Sequence, residues 1–262
     1  MSEVTVGGIG ATVRVRLDGS RSGELSTEFR RVWSRCLVAD QPGEVDVRAD
    51  LFEPGQTRPS HGDDGRITDC EVGPLLQRAT QAITAKLVAK QVGKLILLHA
   101  GAVSHPATGA SLVFVAPGGT GKTTLSRLLG TKYGYLTDET VGITADGRIL
   151  PYPKPLSIRD GSASHKRETS PDELGLLPAP PNPWVRQIVL LRRSRLASGR
   201  ASELSLINAI AALTPESSSL SKLDKGLHRL ADLIDATSPV QRWTYSEAEQ
   251  MVTTARSLLK DA

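Results

Sequence analysis

Cysteine and aromatic residues are scarce in this 262-residue chain. The two cysteines, Cys36 and Cys70, are too few for a disulfide scaffold and lack the spacing of a metal-binding motif. Aromatic residues make up 4% of the sequence and do not interleave with a basic stripe, so we expect no nucleic-acid partner. No apolar run approaches the length of a membrane span, and the N-terminus lacks a signal-peptide layout. We therefore expect no membrane association and a cytoplasmic location.

The remaining composition is that of an ordinary globular protein. Hydrophobic residues make up 39% and charged residues 23% of the chain. The net charge of +4 suits a protein that handles phosphates. Alternating apolar residues at 11–17 and 45–51 predict strands, and a stretch rich in Gly, Pro, Asp and Ser at 54–69 predicts a loop. We expect a small N-terminal α/β domain over residues 1–72 and a larger domain over residues 73–262.

The most informative stretch of the sequence lies between residues 111 and 126. An apolar run at 112–116 predicts a buried strand, a glycine-rich turn follows at 117–121, and Lys122 begins an amphipathic helix pattern. Strand, glycine turn, lysine and helix in this order are typical of a phosphate-binding loop. Glycines let successive backbone N–H groups face anionic oxygens, and the N-terminus of the helix adds positive potential.

This loop predicts a binding site for ATP and Mg²⁺. Lys122 would reach the β and γ phosphates, and the Thr123 hydroxyl would coordinate the metal. Ala116 stands where the consensus G-x-x-x-x-G-K-[ST] begins with glycine, and the alternative is a chance match. The strand before the turn and the helix after it favour the functional interpretation. The predicted nucleotide-binding residues are Pro117, Gly118, Gly119, Thr120, Gly121, Lys122, Thr123 and Thr124.

Two adjacent acids follow at the distance of one helix and one short loop. Asp138 lies sixteen residues after Lys122, at the predicted end of the next strand, and Glu139 is its neighbour. An acid in that position can hold magnesium on a triphosphate, and a second can act as a base toward an attacking hydroxyl. We expect Asp138 to bind the metal, together with Thr123, and Glu139 to be the base. The alternative is a solvated pair of acids in a turn.

Three further residues are candidates for the functional site, and each also has a purely structural interpretation. His99 ends an apolar run before the loop, and from sequence alone a core histidine is the favoured interpretation. Lys154 and Arg159 follow the acids and would hold the γ phosphate or an acidic substrate, or are surface charges. The polar, proline-rich stretch 160–183 predicts a long loop, and helical spacing predicts helices at 204–212 and 219–234.

The order of these motifs resembles the HPr kinase/phosphorylase family, and the segment from Gly119 also resembles the ATP-dependent phosphoenolpyruvate carboxykinases. The resemblance covers residues 95–160 and implies an α/β fold with a P-loop kinase core and a mixed sheet. It implies that Asp138 binds the metal, that Glu139 is the base and that His99 belongs to the site. The matching runs are His99-Ala-Gly, Leu112-Val-Phe-Val, Gly119-Thr-Gly-Lys-Thr-Thr-Leu-Ser and Tyr135-Leu-Thr-Asp-Glu-Thr-Val.

Two departures from the family pattern shape the functional prediction. Glu139 stands where the family usually has a second aspartate, and residues 151–159 replace its glycine- and arginine-rich signature. The chain is therefore similar to stand-alone HPr-kinase-like proteins, and we do not expect the HPr protein as its substrate.

The predicted activity is ATP-dependent phosphorylation of a hydroxyl, either a serine of a peptide or protein or a small alcohol. The alternatives are a regulatory nucleotide-binding module with little or no kinase activity and, more remotely, carboxykinase-like chemistry. The sequence is compatible with a monomer and with a homo-oligomer.

Overall fold

A computed structural model describes residues 1–56, 65–159, 166–197 and 199–260. The chain divides into two compact units, one of Met1–Lys90 with Lys154–Glu173 and one of Gln91–Pro153 with Leu174–Ala262. Both units contain mixed sheets and helices, which confirms the α/β class. This division differs from the expected boundary after residue 72, because a long helix that begins at Val72 belongs to the first unit up to Lys90.

The described residues contain six α-helices and fifteen strands. The helices are α1 (Ser22–Val32), α2 (Val72–Gln91), α3 (Lys122–Gly130), α4 (Leu206–Leu213), α5 (Gly226–Asp235) and α6 (Glu249–Lys260). The strands are β1 (Ser2–Gly8), β2 (Ala11–Asp18), β3 (Leu37–Val38), β4 (Val47–Leu51), β5 (Arg66–Asp69), β6 (Ile96–Ser104), β7 (Ala110–Val115), β8 (Gly134–Thr137), β9 (Thr140–Ile143), β10 (Ile149–Leu150), β11 (Leu156–Arg159), β12 (Lys166–Thr169), β13 (Trp184–Arg193), β14 (Arg200–Glu203) and β15 (Ser238–Tyr245).

The first unit is built on a sheet in the order β3-β1-β2-β4-β5 among the described strands. The predicted strands at 11–17 and 45–51 are confirmed as β2 and β4, which pair in parallel. The predicted loop at 54–69 is wrong for its last four residues, which form β5 because they pair with β4. Residues 57–64 of that loop, and residues 160–165 of the second predicted loop, lie outside the described residues. The second predicted loop is wrong for residues 166–169, which form β12 because they pair with β11.

The second unit has a larger mixed sheet in the order β10-β9-β6-β7-β13-β15-β14, with β8 also paired to β6, as far as the chain is described. Strands β7, β13 and β15 are parallel, whereas β6 runs antiparallel to β7. Every residue of β7 is buried, which confirms the predicted buried strand before the glycine-rich turn. The carboxyl ends of the three parallel strands share one edge of the sheet, where β7 leads into that turn.

The predicted helix at 219–234 is wrong in its first half. Ser219 and Lys225 adopt left-handed backbone conformations with φ of +61° and +49°, which a continuous helix does not allow. A short 3-10 turn at Leu220–Lys222 and helix α5 replace the single helix. The predicted helix at 204–212 is confirmed as α4. Across the part of the chain that the structure describes, no helix combines the length and the apolar character needed to cross a membrane.

Candidate functional site

The glycine-rich loop, residues 116–121, connects β7 to α3 and has a backbone that requires glycine at two positions. Gly119 and Gly121 have φ of +78° and +110°, in the left-handed region that side chains disfavour. Tyr245, at the end of β15, donates its hydroxyl to the carbonyl of Thr120 at 2.8 Å. A Cβ atom at Gly121 would lie only 3.2 Å from that hydroxyl. Tyr245 therefore supports the loop from β15, which is separated from β7 by β13 in the sheet, a contact that no sequence pattern indicated.

A matched pair of glycine substitutions tests this loop geometry. Gly121→Ala is expected to destabilise the protein by about 1–2 kcal/mol, because alanine is strained in a left-handed conformation. Gly118→Ala is the control, since its φ is not positive and a Cβ there meets no atom within 4 Å. Urea unfolding followed by circular dichroism compares the two variants. Equal unfolding midpoints would contradict the left-handed conformation at Gly121.

Lys122 is the first residue of α3, and its side chain is buried against the loop. Its ammonium donates to the carbonyl oxygens of Ala116, at 2.5 Å, and of Pro117, at 3.1 Å. The Thr120 hydroxyl also donates to the Pro117 carbonyl, at 3.0 Å. The loop thus holds a positive charge beside its exposed backbone at residues 117–119. Thr124 is exposed on α3.

Asp138 and Glu139 lie between two consecutive strands, β8 and β9. Both β8 and β9 pair with β6, and the two acids form the bend between them. The Thr137 hydroxyl accepts the backbone N–H groups of Glu139 and Thr140 at 3.3 and 3.4 Å, which replaces lost ladder bonds. The predicted position of these acids at the end of a strand is confirmed, since β8 ends at Thr137.

The buried carboxylate of Asp138 connects this bend to helix α3. Its Oδ2 accepts the Thr123 hydroxyl at 2.7 Å, and its Oδ1 accepts the Tyr135 hydroxyl at 3.2 Å. Asp138 is only 5% exposed, so it is not a solvated turn acid. Buried carboxylates need such donors because desolvation otherwise disfavours the charge. The two predicted metal ligands, Thr123 and Asp138, are therefore in direct contact.

His99 on β6 lies within electrostatic range of the same residues. Burial lowers the pKa of His99, and the positive charge of Lys122 lowers it further, whereas Glu216, Glu139 and Asp138 act to raise it. The net shift is downward, so the imidazole is neutral at pH 7. Its side chain is 42% exposed, which contradicts the interpretation as a fully buried core histidine.

Glu216 is a member of this cluster that the sequence did not indicate. Its carboxylate Oε2 lies 3.6 Å from His99 Nδ1, and its side chain is 17% exposed. Glu216 belongs to a 3-10 turn, Thr214–Glu216, that follows α4. No sequence motif surrounds it, and it comes 77 residues after Glu139, so nothing in the sequence linked it to the acids.

Lys154 and Arg159 belong to the first unit, whereas the residues of this cluster belong to the second. Lys154 is 1% exposed and donates its ammonium to the Pro155 carbonyl at 2.9 Å, so it is not a surface charge. Arg159 is exposed at the end of β11. A substrate-binding role for either residue stays a prediction.

Comparison with known proteins adds no assignment: no protein-family model matches the chain, and neither does any curated protein. A functional assignment therefore depends on the geometry of the site.

Proposed function

We propose that this protein is an ATP-dependent phosphotransferase that phosphorylates a hydroxyl of a peptide, a protein or a small alcohol. Phosphoryl transfer depends on positioning the triphosphate, neutralising its charge and orienting the attacking hydroxyl. The described part of the second unit supplies a residue type for each task. The loop amides and Lys122 would bind the phosphates, and the N-terminus of α3 would add positive potential. This core would then be a P-loop kinase core.

The hydrogen bond between Thr123 and Asp138 carries the proposal. It joins the residue after the P-loop lysine to an acid from a different strand, at 2.7 Å. In P-loop enzymes a hydroxyl at that position and an aspartate from a strand hold one magnesium ion. A chance match in a glycine-rich loop would give no reason for a buried acid to meet this particular hydroxyl.

The two oxygen ligands, Thr123 and Asp138, fit Mg²⁺ rather than a metal whose ligands are all supplied by protein side chains. Within the described ranges, no group of three or more His, Cys, Asp and Glu is arranged to hold a metal ion. Magnesium is commonly held by one or two protein oxygens together with phosphate oxygens and water. Thr123 and Asp138 would hold it here. When bound, it would neutralise charge on the β and γ phosphates.

Glu139 is the proposed base toward the acceptor hydroxyl, and His99 is the second candidate. Glu139 is half-buried beside Asp138, and its carbonyl accepts the N–H of Ala100 at 3.1 Å, one residue from His99. A neutral imidazole can also accept a proton at pH 7. Both residues lie in the second unit with Lys122.

The magnesium proposal is tested by Asp138→Asn. Asparagine keeps the size of the side chain but removes the charge, so we expect the magnesium concentration needed for ATP binding to rise roughly tenfold or more, about 1.4 kcal/mol. Binding of a non-hydrolysable ATP analogue is measured by calorimetry over a magnesium titration. Asp146→Asn, an exposed acid in the hairpin between β9 and β10, is the control. An unchanged magnesium curve in Asp138→Asn would remove Asp138 from the metal site.

A further inference from the structure

Glu216 is held beside His99 by backbone contacts rather than by chance proximity. The residue after it, Ser217, forms an isolated β-bridge with Leu98 on β6, and Ser218 donates its N–H to the Leu97 carbonyl at 2.8 Å. The Ser217 hydroxyl donates to the Leu213 carbonyl at 2.9 Å, which ties the same turn to the end of α4. The turn that carries Glu216 is thus fixed to the strand that carries His99.

The pair approaches most closely at one imidazole nitrogen. The Glu216 carboxylate faces Nδ1 of His99, with Oε2 at 3.6 Å. A carboxylate beside one ring nitrogen favours the proton on that nitrogen and leaves the lone pair on the other. Contacts of this kind are often long before substrate binds and shorten in the complex.

We propose that Glu216 is a positioning residue for the proposed phosphotransfer reaction, which keeps His99 in the Nδ1–H tautomer and so leaves Nε2 free to accept a hydrogen bond or a proton. Only the role of Nε2 as an acceptor in the phosphotransfer reaction rests on the proposed function. The tautomer itself is a property of the protein without ligand. Among the described residues, the other charged groups that act on His99 are Lys122 on α3 and Asp138 and Glu139 in the bend between β8 and β9.

The tautomer is measured in the intact chain by long-range ¹⁵N–¹H NMR at pH 8, where imidazoles are neutral. His99→Gln identifies the signals of His99 among the five histidines. We expect the Nδ1–H form in the wild-type protein and a shift toward Nε2–H, the form preferred by free histidine, in Glu216→Gln. Glu203→Gln, an exposed acid on β14, is the control and should match the wild type.

The inference would be overturned if His99 carried its proton on Nε2 in the wild-type protein. It would also be overturned if the tautomer of His99 were the same in the wild type and in Glu216→Gln. The wild-type spectrum decides even where the variant fails to fold. A second readout is ATP turnover with water as the acceptor. Glu216→Gln should reduce the rate by about 10- to 100-fold, up to the low end of what general-base help contributes, with ATP-analogue affinity unchanged. If the wild type binds no ATP analogue, the proposed function fails while the tautomer result still stands.

Discussion

Replacing Lys122 with alanine is expected to weaken the binding of Mg·ATP by about 10- to 150-fold, because a charged donor to phosphate contributes roughly 1.5–3 kcal/mol. The Lys122 ammonium now donates to the carbonyls of Ala116 and Pro117. These are contacts within the loop, and a bound phosphate offers a stronger acceptor for the same charge. We therefore expect the loss to appear in nucleotide binding.

Calorimetric titration with a non-hydrolysable ATP analogue measures this effect. Lys132→Ala removes an exposed lysine just after α3 and should bind as the wild type does. Circular dichroism should show that Lys122→Ala remains folded, since the apolar residues of α3, Leu125 and Leu129, stay buried. Equal affinity in Lys122→Ala and Lys132→Ala would reject the loop as the phosphate-binding element.

Glu139→Gln is expected to reduce phosphate transfer by about 100- to 10,000-fold, the usual contribution of a general base. Glutamine keeps the size and polarity of the side chain but does not accept a proton at neutral pH. Affinity for Mg·ATP should stay near the wild-type value, because the phosphates and the metal are assigned to Lys122, Thr123 and Asp138. The measurement pairs a single-turnover transfer assay with calorimetry, and Glu203→Gln is the matched control.

Other outcomes of that experiment assign Glu139 differently. Loss of Mg·ATP binding in Glu139→Gln would move this residue into the metal site and leave His99 as the base. Unchanged transfer would show that no proton passes through Glu139. Unchanged binding in a protein with no transfer activity at all would favour the regulatory nucleotide-binding module.

The sequence predicted those parts of the site that depend on contiguous residues. The apolar run, the glycines and the helix pattern around Lys122 lie within sixteen residues, and the structure forms β7, the loop and α3 there. The positions of Asp138 and Glu139 could also be predicted from the sequence, because a helix and a short loop return the chain to the same sheet within a fixed length. The contact between Thr123 and Asp138 follows from this local geometry.

The sequence did not predict contacts made by distant turns. Tyr245 supports the loop across 125 positions, and Glu216 meets His99 only because a 3-10 turn bridges to β6. The left-handed backbone at Ser219 and Lys225 redirects the chain after that turn, and neither residue type signals it. The division into units was also not predicted from the sequence. The segment Lys154–Glu173 belongs to the same unit as Met1–Lys90, from which it is distant along the chain.

The most direct test of the proposed function is a transfer experiment with [γ-³²P]ATP, Mg²⁺ and a lysate of the source cells. The wild-type protein is expected to label a peptide, protein or small alcohol through an acid-stable phosphoester. Lys122→Ala and Glu139→Gln should leave it unlabelled. Labelling that is equal for the wild type and both variants, or no labelled product from a wild-type protein that binds Mg·ATP, would contradict the assignment as a kinase.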